Sequence, residues 1–256
     1  MTSLLASALF PESPPSELAE VAHELGYDGI DLEVRGHPDA DDERTLALLA
    51  AEGAPALLLS VDSHDAPTLR PWCALAKAAG CAALRLHPLP EDGVAPALVV
   101  ARLAELAADS DVRLLVPNHA GSPLSTPEPL AELLDGLDPG RVAALLAPDQ
   151  IPRSRAGDHV AWLGRMKLPP IGAVCLGGYR WEAQIGAGNI RLWSAVPTLI
   201  GQSLTPWPAW LQRLRELGFD GLFTCGDASL PAGAAERLRL ARDDLRFLKR
   251  HWLPRA

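Results

Sequence analysis

The sequence predicts an α/β fold, a (β/α)₈ barrel that forms one domain over residues 1–256. Three observations point to it. Short β-type runs and amphipathic helical stretches alternate from one end of the chain to the other. The β-type runs are continuously apolar rather than alternating, as expected of strands buried on both faces of a parallel sheet. The chain length of 256 residues also suits a barrel, a fold that runs undivided at about 250 residues.

The elements follow in order. A first strand over Leu4–Leu9 leads to a helix at Ser16–Leu25, where Ser16 precedes Leu18, Ala19 and Val21 and Gly26 marks the stop. Strands at Gly29–Val34, Ala56–Val61 and Ala83–Leu86 alternate with helices at Asp41–Ala51, Thr68–Ala79 and Ala95–Ala108. Strands at Arg113–Val116 and Val142–Leu146 flank a helix at Thr126–Leu134. A weakly patterned helix at His159–Met166 precedes the strand Ile171–Leu176. Thr205-Pro206 opens the seventh helix, Pro206–Leu217, and Gly218 ends it. The strand Gly221–Cys225 and the helix Ala232–His251 complete eight pairs. The weak sixth helix leaves a doubly wound open sheet as the alternative. The segment Gly177–Trp193, GGYRWEAQIGAGNIRLW, reads as the longest loop after any strand, a flexible surface segment or an oligomer contact.

Charge and composition exclude several classes. Lys and Arg number 23 against 32 Asp and Glu, a formal charge of −9, so neither nucleic acid nor an anionic membrane is expected as partner. The longest apolar run, Val94–Ala101, falls far short of the roughly 20 residues a membrane span needs. The N-terminus lacks a basic leader, and four cysteines without CxxC spacing read as reduced thiols, so a cytoplasmic location is expected. Cys73 and Cys81 in particular suit burial in or near one apolar helix. Only three lysines occur, Lys77, Lys167 and Lys249, none at a strand C-terminus, which argues against Schiff-base and pyridoxal chemistry. Neither GxSxG, a P-loop nor a strand-borne GxGxxG is present, so no cofactor is expected.

Barrel chemistry sits where strands end and βα loops begin. At those positions stand Glu33, Asp62 and His64, His87, Asn118 and His119, Asp149 and Gln150, Tyr179, Arg180 and Trp181, and Asp227. A histidine beside a carboxylate makes a general base poised near neutrality, and His119 or His87 acting with Asp149 are the candidates for proton transfer. Arg153 and Arg180 could bind an anion bidentately, and Tyr179 and Trp181 could cover a flat ligand. A structural or solvated role remains the alternative for each histidine taken singly.

Several segments together carry a family resemblance. HELGYDGIDLEVRG (His23–Gly36), LRLHP (Leu84–Pro88), VRLLVPNHAGSPLSTPEPLAELL (Val112–Leu134), RVAALLAPDQIPRSRAGD (Arg141–Asp158) and LIGQSLTPWPAWLQRLRELGFDGLFTCGD (Leu199–Asp227) occur in the order seen in one superfamily. The chain thereby resembles the xylose isomerase-like TIM barrels, which include sugar phosphate isomerases and epimerases and endonuclease IV. The resemblance implies a divalent ion held by Glu, Asp, His and Glu side chains at the ends of the last four barrel strands. Those positions here hold Pro117, Ala147, Cys175 and Gly226, and a substrate-contacting His is replaced by Gln150. The family's metal site is therefore expected to be absent, and with it metal-assisted isomerisation and phosphodiester hydrolysis.

The leading expectation is a repurposed, metal-independent isomerase, epimerase or lyase-like enzyme. Its substrate would be a small anionic or carbonyl-containing metabolite, in specialised biosynthesis. A non-catalytic pseudoenzyme or scaffold is the alternative. A third reading is a metal site rebuilt from His119, Asp149 and Asp227. A homo-oligomer is compatible with the family.

Overall fold

A computed structural model describes residues 1–63, 65–88, 96–153, 169–185, 191–225 and 233–252. Eight parallel strands close into a barrel: β1 (Thr2–Ala6), β2 (Gly29–Val34), β3 (Ala56–Val61), β4 (Ala83–Arg85), β5 (Arg113–Pro117), β6 (Val142–Leu146), β7 (Ile171–Leu176) and β10 (Leu222–Cys225). Closure is made by β1, which pairs with β2 on one side and β10 on the other. Around them lie α1 (Pro15–Leu25), α2 (Ala40–Ala51), α3 (Ala66–Ala78), α4 (Pro96–Asp109), α5 (Pro127–Leu133), α6 (Gln150–Arg153), α7 (Trp207–Glu216) and α8 (Ala234–Trp252).

The barrel requires strands that are apolar on both faces, and neighbouring residues divide the work. Leu4, Leu58, Ala83, Leu115, Ala143, Leu145 and Ala173 fill the interior. The next residue along each of several strands, Leu5, Leu59, Leu84, Val116, Ala144 and Val174 among them, packs outward against the helices. Local signals set the helix ends. Gly26 closes α1 at φ 80°, and Asp39 caps α2 in a reciprocal box with Asp42.

Two expectations are corrected. The first strand ends at Ala6, not Leu9, because Ser7–Leu9 turns into a short 3₁₀ helix whose Ser7 hydroxyl accepts the Glu33 N–H at 2.8 Å. The stretch expected as a long loop instead contains an antiparallel ribbon, β8 (Tyr179–Ile185) paired with β9 (Arg191–Pro197) from Tyr179↔Pro197 to Ile185↔Arg191. Gly178 lets the ribbon's base close: a Cβ there would lie 2.4 Å from the Thr198 carbonyl oxygen. Trp181, Ile185 and Trp193 remain exposed on the ribbon. The sixth helix expected at His159–Met166 lies outside the described residues.

Because Leu58 is fully buried inside the barrel, Leu58→Ala should lower unfolding free energy by about 2–5 kcal/mol in urea titration. Leu48→Ala, on the exposed face of α2, should change it by no more than about 0.5 kcal/mol. Equal losses would contradict the packing described.

Candidate active site

Inward-facing residues alternate along each strand, so the period that fills the barrel with Leu58, Ala83, Ala173 and Leu222 next presents Ser60, Arg85, Cys175 and Thr224. These side chains and Asp31 form the floor of a cavity of about 400 Å³ at the C-terminal ends of the strands. Glu33, Asp62, His87, His119, Asp149 and Gln150 also line it.

The Asp31 carboxylate is 4 % exposed, and a buried charge of this kind demands partners. Ser60 Oγ donates to Oδ1 at 2.6 Å and Thr224 Oγ1 donates to Oδ2 at 2.7 Å. The Arg85 guanidinium stands 3.9 Å from Oδ2 through Nη1. Four strands, β2, β3, β4 and β10, thus contribute to one polar cluster.

Above it, His87 follows β4 and Asp62 follows β3. His87 Nδ1 lies 2.8 Å from Asp62 Oδ1, and the His87 N–H donates to the Ser63 carbonyl at 3.0 Å. A carboxylate only accepts, so this contact places a proton on Nδ1; in the neutral ring Nε2 is then the acceptor. His119 has the opposite arrangement. Its Nδ1 accepts the Gly121 N–H at 3.1 Å, which leaves the neutral ring's proton on Nε2. Both imidazoles line the same cavity.

Asn118 is buried, and its amide stitches β5 to the end of β6. Its Nδ2 donates to the Ala147 carbonyl at 3.0 Å and its Oδ1 accepts the Ala147 N–H at 2.6 Å. Asp149 is also buried and accepts from Gln150 Nε2 at 2.7 Å. Gly177 makes room for it: a Cβ there would fall 2.8 Å from the carboxylate carbon. Gln150 Oε1 is buried with no hydrogen-bond partner among the described residues.

Tyr179, Arg180 and Trp181 are not among the described lining residues. Arg180 donates from Nε to Glu182 at 2.8 Å on the ribbon, and Tyr179 is buried edge-on to Trp181 at 6.1 Å. His64, the Arg153 side chain and Asp227 fall outside the described residues. Glu33 lines the cavity rim, 3.8 Å from Arg35. Sequence reasoning missed Asp31, Ser60, Arg85 and Thr224. The available signal was their spacing two residues from interior or site positions on the same strand.

The positions where the resemblance implies metal ligands follow the inward period, Leu115 to Pro117, Leu145 to Ala147 and Ala173 to Cys175. Pro117 and Ala147 offer no side-chain donor, so the residues present do not fit an ion held in that way. Among the described residues, no group of three or more His, Cys, Asp or Glu side chains is placed to hold a metal ion. No helix among them is long and apolar enough to cross a membrane.

A closed barrel with titratable side chains converging at its C-terminal mouth defines the architecture of barrel enzymes. The sequence profile of the xylose isomerase-like TIM barrel family matches residues 19–251, and the chain belongs to that family. Solved structures agree in fold. D-psicose 3-epimerase from Clostridium cellulolyticum, crystallised with D-tagatose, superposes with a TM-score of 0.75 at 13% identity, covering 99% of this chain and 100% of its own. A xylose isomerase-like TIM barrel protein from Mycobacterium smegmatis, in complex with magnesium, gives 0.72 at 14% identity, with 98% and 96% covered. The probable 3-DHS dehydratase AsbF of Bacillus anthracis, involved in petrobactin synthesis, gives 0.69 at 16%, with 97% and 99% covered. Among curated proteins no match is found.

None of the four cysteines forms a disulfide, and Cys73, Cys81 and Cys225 are buried. Burial pushes the thiols of Cys73 and Cys225 up, and that of Cys81 up to about 11. Cys175 lines the cavity and is only partly buried. Iodoacetamide at pH 8 should therefore modify Cys175 first in the folded protein, and all four residues after unfolding. Peptide mass spectrometry showing Cys81 or Cys225 labelled ahead of Cys175 would contradict the placement.

Proposed function

We propose that this protein is a metal-independent acid–base enzyme that moves a proton next to the carbonyl group of a small metabolite, in an isomerisation, epimerisation or related lyase step. The observation that carries the reading is the His87–Asp62 contact of 2.8 Å at the cavity mouth. Asp62 orients the ring through Nδ1, and His87 Nε2 removes the proton. His119 Nε2–H is the donor on the returning side. Asp149, two residues past Ala147, and Gln150, where the resemblance implies a histidine, shape the wall.

Metal independence is supported by residue chemistry, since Pro117 and Ala147 stand where the resemblance implies carboxylates. Belonging to the family supports an enzymatic role in general terms. The related solved proteins include an epimerase and a probable dehydratase, both named for chemistry on small oxygenated molecules.

Proton exchange tests this reading without knowledge of the natural substrate. In deuterated buffer with EDTA, the protein is incubated with dihydroxyacetone, D-fructose or pyruvate, and loss of the C–H signal beside the carbonyl is followed by NMR. Catalysed exchange is expected with at least one probe, falling about 100- to 10,000-fold in His87→Asn. Exchange that vanishes in EDTA and returns with a divalent ion would sink the metal-independent reading. No exchange with any probe would favour a binding protein.

A further inference from the structure

Catalysis of proton abstraction beside a carbonyl needs a group that takes up negative charge on the carbonyl oxygen, and neither histidine is a fixed cation. Arg85 is the arginine among the described residues that line the cavity. Its side chain is 31% exposed, and among the described residues it donates no hydrogen bond; Asp31, at 3.9 Å, is its nearest charge. Asp31 has its own hydroxyl donors in Ser60 and Thr224. The guanidinium is thus held beside a fixed counter-charge while its N–H groups stay available to the cavity. Strand geometry adds a second fact: Arg85 and His87 are two residues apart at the end of one strand, so both face the cavity.

The charge around the cavity defines what Arg85 can bind. Four described carboxylates, Asp31, Glu33, Asp62 and Asp149, border it against this single guanidinium. Among the described residues, that balance disfavours a substrate that arrives as a full anion. A neutral carbonyl compound, whose oxygen turns negative only as the proton leaves, meets the Arg85 donors when they matter most.

We propose that Arg85 stabilises the enolate oxygen of a neutral carbonyl substrate, and that Asp31 is the positioning residue that aims it. This rests on the acid–base reading of the same cavity. In the step, His87 Nε2 takes the proton from the carbon beside the carbonyl. The C–H electron pair forms the C=C bond, and the C=O π pair moves onto oxygen, facing Arg85. Return of a proton to the opposite face of the same carbon restores the neutral carbonyl; where that carbon carries a hydroxyl, transfer of the hydroxyl proton to the enolate oxygen and protonation of the former carbonyl carbon move the carbonyl instead, so no oxidant or reductant is consumed.

Arg85→Met should lower kcat for the probe exchanged fastest by about 100- to 1000-fold while KM changes less than threefold. Guanidinium chloride at low millimolar concentration should restore part of the loss. Arg85→Lys keeps a cation beside Asp31 and should stay folded yet lose at least tenfold in kcat. Asp31→Asn should lower kcat in the wild-type background but add nothing in Arg85→Met; independent, multiplicative losses would overturn the positioning role. A raised KM with unchanged kcat in Arg85→Met would overturn the charge-stabilising role. Binding of acetohydroxamate, a small planar enolate mimic, is measured by calorimetry in EDTA and needs no turnover. Wild-type binding lost in Arg85→Met supports the inference even where the exchange assay is silent, and equal binding, or none to wild type, rejects it.

Discussion

The buried carboxylate of Asp31 is the constraint on which the rest of the site depends. A charge 4 % exposed inside a barrel is tolerable only with partners on several sides: hydroxyl donors come from β3 and β10, and the Arg85 guanidinium on β4 stands 3.9 Å away. Thr224 and Ser60 come from strands on either side of β2, so the strand order that closes the barrel also supplies the carboxylate's donors. The cluster marks the level at which the barrel changes from packed core to chemistry. Below it stand Leu4, Leu58 and Leu115; above it stand the imidazoles of His87 and His119.

Around that level the mouth keeps a polar lining although two of the positions where the resemblance implies metal ligands offer no donor. Pro117 and Ala147 leave β5 and β6 without side-chain ligands, and Asn118 uses the space to bind the Ala147 backbone in both directions. Polar side chains gather on the β2–β3–β4 side, where Asp31, Ser60, Asp62, Arg85 and His87 line the cavity. The opposite side supplies Asp149, Gln150 and Cys175 to the wall. Among the described lining residues, one guanidinium stands among four carboxylates, the balance on which the proposed role of Arg85 rests.

Much of the fold was legible because both faces of each barrel strand are buried. Runs such as Leu-Leu-Leu-Ser-Val at the third strand are continuous in hydropathy, and their ends were located to within a residue or two, the first strand excepted. The ribbon was missed for the opposite reason. It stands away from the barrel, exposes Trp193 at 60% of its surface, and lies in a glycine-rich segment that reads as loop. The site was legible only in part. His87, Asp62, His119, Asp149 and Gln150 stand at or beyond strand ends, where barrel logic directs the search. Asp31, Arg85 and Thr224 sit inside strands, and a charged residue there resembles a surface position until the barrel shows which face it is on. Likewise the expected anion site on Arg180 depended on the ribbon's fold, which pairs that arginine with Glu182.

The central claim is that His87 presents an unprotonated Nε2 to the cavity because Asp62 holds the proton on Nδ1. Long-range ¹H–¹⁵N NMR of imidazole-labelled protein at a pH where His87 is neutral reads that tautomer directly. The account predicts an Nδ1–H proton shifted downfield by its bond to Asp62, with the shift lost in Asp62→Asn. A neutral His87 carrying its proton on Nε2, indifferent to Asp62, would contradict it.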